Sequence, residues 1–285
     1  VAVRIARAAS GKDAVAFCGY HGWHDWYLAA NLADEAALDG HLLSGLEPAG
    51  VPRALKGTAR PFVYNDLAGL ERLLAAGDIG TIIMEVERSI PPEPGFLAGV
   101  RELATRHSAV LVFDECTSGF RQVLGGHHLV QSVEPDMAVL GKTLGNGFAV
   151  NAIIGRQSVM EAAKRTFISS TFWTERVGAT AALAAIEAMR EEDAPGRVHS
   201  IGLAVKERWR QLASSAGLEV AIVGLPAISV FSVPGRDPST IRTFVVHSLL
   251  DRGFLAANAV YASIAHTSEV LNPYFEALGD AFETI

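Results

Sequence analysis

Cysteine is scarce: Cys18 and Cys116 are the only two in 285 residues. They stand far apart, without metal-site spacing, so neither a disulfide framework nor a cysteine-zinc module is encoded. That usage fits a reducing compartment, and a cytoplasmic location is the expectation. No apolar run reaches the roughly 18 residues that a membrane-spanning helix needs. The most apolar helical stretch, near Val177–Met189, is rich in alanine and carries Glu187, so it reads as a packed helix. An excess of basic residues is missing too. The formal net charge is −7, whereas a nucleic-acid surface needs clustered Lys and Arg to neutralise phosphate. The expected partners are therefore small molecules. No Gly-x-Ser-x-Gly elbow occurs, which leaves a hydrolase without a visible nucleophile. Gly141-Lys142-Thr143 imitates the end of a nucleotide phosphate loop, but Asp136 stands where that loop requires glycine. His21, His24 and Asp25 crowd a single loop and His127-His128 are adjacent, so no metal centre is expected.

What remains is ordinary for an α/β protein: 49% of residues are hydrophobic and 19% charged. Val1–Ala9 reads as a helix that starts without a cap or an initiator methionine, which leads to the expectation of a fragment. Ala14–Cys18 reads as a buried strand, followed by a long irregular stretch from Gly19 to about Arg60. A strand is expected at Phe62–Tyr64 and a helix capped by Asn65-Asp66. Apolar strands at Thr81–Val86, Ala109–Phe113, Met137–Leu140 and Ala152–Ile154 follow, with a helix at Leu97–His107 between the first two. Strands without polar alternation, spaced by helices, predict a mostly parallel sheet buried on both faces. Helices are expected near Arg156–Arg165 and Arg176–Arg190. The charged patch Arg190–Asp193 and Ala194-Pro195-Gly196 mark a boundary between a large domain, 1–193, and a small α+β domain, 194–285. In the latter a strand is expected near Phe254–Ala256 and a terminal helix from about Ser268.

Asp114 ends one apolar strand, and a second delivers Lys142 within Gly141-Lys142-Thr143-Leu144-Gly145-Asn146-Gly147. Ligands of open α/β sheets gather at that carboxyl edge. A carboxylate that keeps a ring nitrogen protonated, beside an amine that can hold an aldehyde, suits a pyridinium cofactor. The segments Phe113-Asp114-Glu115-Cys116-Thr117-Ser118-Gly119-Phe120-Arg121, Pro135-Asp136-Met137, Gly141-Lys142, Gly19-Tyr20-His21-Gly22 and Ser170-Thr171-Phe172 together resemble the class-III, fold-type-I aminotransferases. Within that family the chain leans toward the glutamate-1-semialdehyde 2,1-aminomutases.

The resemblance implies pyridoxal 5'-phosphate as cofactor, an amino donor and a carbonyl acceptor as partners, and a homodimer with shared active sites. It implies that Lys142 forms the Schiff base and that Asp114 partners the ring nitrogen. Tyr20 would stack on the ring, Cys116 would pack on its opposite face in place of the usual valine, and Thr171 would reach the phosphate of the neighbouring subunit. Glu85 matches a glutamate near the active site, and His21 would touch substrate or support the site. The phosphate-binding loop of the family would lie just before the opening helix, so weak cofactor binding is expected of this stretch alone. Trp23-His24-Asp25-Trp26-Tyr27 departs from the aminomutase pattern and leaves open another carbonyl substrate, a sugar among them. A dimerisation module without activity is the remaining reading.

Overall fold

The computed structural model describes residues 1–87 and 89–285. It contains two compact units. The first comprises Val1–Val86, Pro92–Gly119 and Gly125–Ala185; the second comprises Glu87–Pro91, Phe120–Leu124 and Ile186–Ile285. The main division between the units falls at 185/186, eight residues before the boundary expected from sequence, 193/194, which lies at the break between two helices at Asp193.

The first unit is built on strands β1 (Ala14–Cys18), β2 (Ala59–Pro61), β3 (Ile79–Glu85), β4 (Val110–Glu115), β5 (Met137–Leu140) and β6 (Ala152–Gly155). Their order in the sheet is β2-β1-β3-β4-β5-β6. All pairs are parallel except β5 with β6, which is antiparallel. The helices of this unit are α1 (Ala2–Ser10), α2 (Asp25–Leu28), α3 (Leu67–Leu74), α4 (Phe96–Arg106), α5 (His128–Gln131) and α6 (Gln157–Met160). The longer α7 (Val177–Glu191) begins in it.

Strand period decides what each face carries. On one face Leu70 and Leu74 of α3 and Phe96, Val100 and Leu103 of α4 cover Ala16, Ile82, Met84, Leu111 and Phe113. On the other, Val3, Ile5 and Ala6 of α1 with Tyr27, Ala30 and Leu38 cover Val15, Phe17, Ile83, Val112 and Met137. Successive side chains of a strand point to opposite faces. Glu85 and Asp114 therefore share the second face, while Glu115 points to the first.

The second unit contains α8 (Ala194–Ser215), β7 (Ala221–Val223), β8 (Ile228–Ser232), α9 (Pro238–Leu250), β9 (Ala259–Tyr261) and α10 (Ser268–Thr284). Its antiparallel sheet, in the order β7-β8-β9, packs with α8, α9 and α10 around Trp209, Phe231, Tyr274 and Phe282.

Two expected strands lie elsewhere. The strand expected at Phe62–Tyr64 pairs at Ala59–Pro61 instead. Pro61 cannot donate to a ladder, and it is tolerated because β2 is an edge strand. The strand expected near Phe254–Ala256 is Ala259–Tyr261, paired with Ile228–Val230; Leu255 is 97% exposed. The helix expected over Arg156–Arg165 is α6 followed by a 3-10 turn, Glu161–Arg165. Among the described residues, no helix is long and apolar enough to cross a membrane, and no cluster of side chains is arranged to hold a metal ion.

Candidate active site

Neighbouring strands bring their ends to one edge of the sheet. Glu85 of β3 stands in register with Asp114 of β4, and Asp114 with Val139 of β5. The turn after β1 adds Tyr20 and His21 at the same edge, because β1 is the partner of β3.

Asp114 is the centre of the arrangement. One carboxylate oxygen, Oδ1, accepts the Cys116 N–H at 3.1 Å. The other, Oδ2, lies 2.8 Å from Nδ1 of His21, whose Nε2 lies 3.1 Å from the Cys18 carbonyl oxygen. The Cys18 carbonyl can only accept, so Nε2–H is its donor, and Nδ1 faces the carboxylate. Burial by itself would push the Asp114 carboxyl up. The hydrogen bond and charge of His21, together with the Cys116 N–H, outweigh burial and hold it below the ordinary carboxylate value. An ionised carboxylate has about four lone-pair sites, so these contacts leave room for one further donor. A protonated ring nitrogen is such a donor.

His21 is itself confined. Trp26 stacks on it at 6.2 Å between ring centres, inclined by 26°, and Phe17 and Tyr27 meet it edge-on. Tyr27 donates its hydroxyl to the Gly19 carbonyl at 2.9 Å. Tyr20 is half-buried with its ring edge-on to Tyr27. Its N–H donates to Glu85 Oε2 at 3.1 Å. Glu85 thereby fixes the turn that presents Tyr20 and His21. Gly19 is required there: its φ is +105°, and a Cβ would sit 2.6 Å from Glu85 Oε2.

Lys142 follows β5 directly. Its amine donates to the Thr117 hydroxyl oxygen at 2.6 Å. Thr117 is three residues along the chain from Asp114, a reach of at most about 11 Å, so one short segment connects the carboxylate to the amine. Between them Cys116 feels both groups. Burial first, then the Asp114 charge and hydrogen bond, push its thiol up to about 12, against the opposing pull of Lys142. At neutral pH it is a small uncharged wall. A Cβ on Gly141 would stand 3.3 Å from the Cys116 sulfur and 2.2 Å from Asn151 Oδ1, so bare backbone is needed where β5 approaches the site.

Of the residues singled out from sequence, the structure brings Tyr20, His21, Glu85, Asp114, Cys116 and Lys142 to one edge. Thr171 takes no part in these hydrogen bonds; it is exposed, in the turn 171–174. Three contributors were not singled out from sequence, although Glu115 and Thr117 lie within the segment that carries the resemblance. Thr117 holds the lysine. His41 accepts the Gly19 N–H at Nδ1, 3.1 Å away, from 22 residues downstream. Glu115 binds the His128 ring and backbone on the opposite face. Alternation along β4 could have flagged Glu115, since a carboxylate adjacent to Asp114 must face the other way.

Residues 4–267 match the sequence model of the family described as aminotransferase class-III. The chain is 33% identical over 238 residues to 3-aminobutyryl-CoA aminotransferase of Cloacimonas acidaminovorans, covering 79% of this chain and 53% of that protein. It is 31% identical to glutamate-1-semialdehyde 2,1-aminomutase of Hyperthermus butylicus, covering 100% of this chain and 71% of the relative. The chain thus spans from about half to about seven-tenths of the length of these proteins. Its fold is that of the PLP internal aldimine form of the FumI protein of Sphingopyxis sp. MTA144. There the TM-score is 0.87 at 23% identity, over 99% of this chain and 67% of that one.

Proposed function

Because the chain belongs to the class-III aminotransferases, a family of pyridoxal phosphate enzymes of fold type I, we propose that it transfers amino groups with Lys142 as its catalytic residue. The observation that carries the proposal is the delivery of Asp114 and Lys142 to one edge by paired strands, joined by residues 114–117.

Bound pyridoxal phosphate supplies an aldehyde that condenses with amines and a ring that accepts the electron pair of a bond broken next to nitrogen. The chain's own groups fit that molecule. Asp114, kept anionic by His21, would accept the ring N–H and so keep the ring cationic. Cys116 would offer the ring an uncharged wall and Tyr20 an aromatic surface. Lys142 Nζ would hold the cofactor and move the proton at the donor's amino carbon. Glu85 acts on the turn carrying Tyr20 and His21, which makes it a support. Thr171 is assigned to the phosphate of a neighbouring subunit's cofactor, in a homodimer.

The substrate pair is a small-molecule amino donor and a carbonyl acceptor, and the aminomutase reading agrees with the likeness along the full length of the chain. A second reading, a different carbonyl such as a sugar, has its own support: Trp23, two residues along the chain from His21, is exposed and stacks on His24 at 6.0 Å, as a platform for a flat ligand would.

The full-length protein loaded with cofactor is to be offered amino donors while absorbance follows the conversion of the cofactor from aldehyde to amine form. Conversion by glutamate, reversed by a keto acid or keto sugar, is the transaminase result. Turnover of glutamate-1-semialdehyde without any external donor is the aminomutase result. No conversion by any donor, with Lys142 still binding the cofactor, would refute amino transfer and leave the dimerisation reading.

A further inference from the structure

Lys142 is constrained at both ends. Its backbone lies in the left-handed region, with φ 47°, unfavourable for any residue with a Cβ. Its amine is bound to the Thr117 hydroxyl at 2.6 Å. Thr117 is buried although Lys142 is exposed, so the acceptor belongs to the interior and the lysine reaches inward to it.

The turn that carries Thr117 is held firmly. Glu115, fully buried on the opposite face of the sheet, accepts the Ser118 hydroxyl at 3.2 Å and the His128 N–H at 3.0 Å. It also accepts the His127 N–H and pairs with the His128 ring. Its carbonyl oxygen takes the Gly119 N–H at 2.9 Å. With residues 115, 118 and 119 tied down, Thr117 between them has little freedom to follow the lysine. The lysine must come to it.

We propose that Thr117 is a positioning residue for Lys142: its hydroxyl oxygen fixes Nζ beside Cys116, where the aldehyde of the cofactor is presented. This inference rests on the reading of Lys142 as the amine that holds the cofactor. In the capture step Nζ forms a C=N bond with the aldehyde carbon. The carbonyl oxygen departs as water and one ammonium proton passes to solvent. A flexible lysine has many conformers from which this cannot occur. A hydrogen bond to a charged group is worth about tenfold in such an equilibrium, and that is the expected loss when the hydroxyl is removed.

The chain has five lysines, Lys12, Lys56, Lys142, Lys164 and Lys206, so four serve as internal references. The full-length protein is mixed with substoichiometric pyridoxal phosphate, reduced with borohydride, and its labelled lysines are quantified by peptide mass spectrometry. In the wild type, Lys142 takes the label ahead of the other four. Thr117→Val lowers its share about tenfold with the other four unchanged, and Thr117→Ser restores it. Ser118→Ala, which removes a neighbouring hydroxyl and leaves Thr117 in place, keeps the wild-type share.

Equal shares in wild type and Thr117→Val would overturn the proposal, as would a tenfold loss in Ser118→Ala, which would assign the effect to a loosened turn. No preference for Lys142 in the wild type would instead refute the reading of Lys142 itself, and the proposal with it.

Discussion

Asp114 illustrates how opposing forces on one side chain set a site. Burial favours its neutral acid; His21 and the Cys116 N–H favour the anion and prevail. A carboxyl lowered in the folded state stabilises the fold above its unfolded value of about 3.9 and loses that contribution as pH falls through the folded value. Replacing His21 with leucine leaves burial nearly unopposed, so an anion is stranded. The expected cost is about 3 kcal/mol at pH 7, shrinking toward pH 4, where the stranded acid takes up a proton. Urea denaturation at both pH values measures this, and equal losses at the two would contradict it. His41 acts in a higher window. Burial first, and then the charge of His21, lower its pKa, so the folded state keeps it neutral and able to accept from Gly19. The unfolded chain binds a proton near pH 6.5, so stability falls from pH 7 toward pH 5. His41→Gln, which keeps an acceptor, is expected to remove that slope in urea midpoints across the same range. The two residues differ in how far sequence could reveal them. Asp114 and Lys142 end apolar runs and could be placed without coordinates. His41 and Thr117 meet their partners only through the folding of a loop and the register of β4 on β5, which no local pattern encodes.

Helices and strands show the same division. Runs such as Ala14–Cys18 and Met137–Leu140 were readable to the residue because a strand buried on both faces needs every position apolar. Phe254-Leu255-Ala256 is just as apolar, but three residues carry no period, and pairing selected Ala259–Tyr261 instead. That β6 runs against β5 was equally unreadable from its own residues. Close packing of helices makes a sharper test. Alanine is favoured over glycine inside a helix by about 1 kcal/mol, so propensity predicts gains at both Gly99 and Gly202. At Gly99 of α4 a Cβ would meet the end of the Leu67 side chain at 2.5 Å, a group that can turn aside. At Gly202 of α8 it would meet the Pro226 carbonyl oxygen at 1.8 Å, and backbone cannot yield without moving β8. Gly99→Ala is therefore expected to change stability by less than about 1 kcal/mol, and Gly202→Ala to cost about 2–3 kcal/mol. Thermal unfolding of the two variants would decide it; similar midpoints would show that α8 can shift on its sheet.

A second unit after the large sheet was expected from the charged patch at Arg190–Asp193, although the two units part at 185/186, inside α7. The short segments Glu87–Pro91 and Phe120–Leu124 were not, because five residues drawn into the second unit leave no mark in composition. The homodimer is a proposal at the largest scale, and one exposed segment supports it. Phe167, Phe172 and Trp173 are 85%, 74% and 68% exposed in the stretch that also carries Thr171. Singly exposed apolar residues are ordinary, whereas several large ones along one short segment mark an interaction surface. A proposed homodimer in which Thr171 serves the neighbouring site would cover this segment, removing apolar area worth roughly 25 cal/mol per Å². Serine at both 172 and 173 deletes aromatic surface without touching either core. The expected result is a shift from dimer to monomer in sedimentation equilibrium, with the thermal transition losing its dependence on protein concentration. If the variant sediments as the wild type does, the segment lies outside the subunit contact, and the placement of Thr171 at a shared site falls while the Asp114 and Lys142 assignments stand.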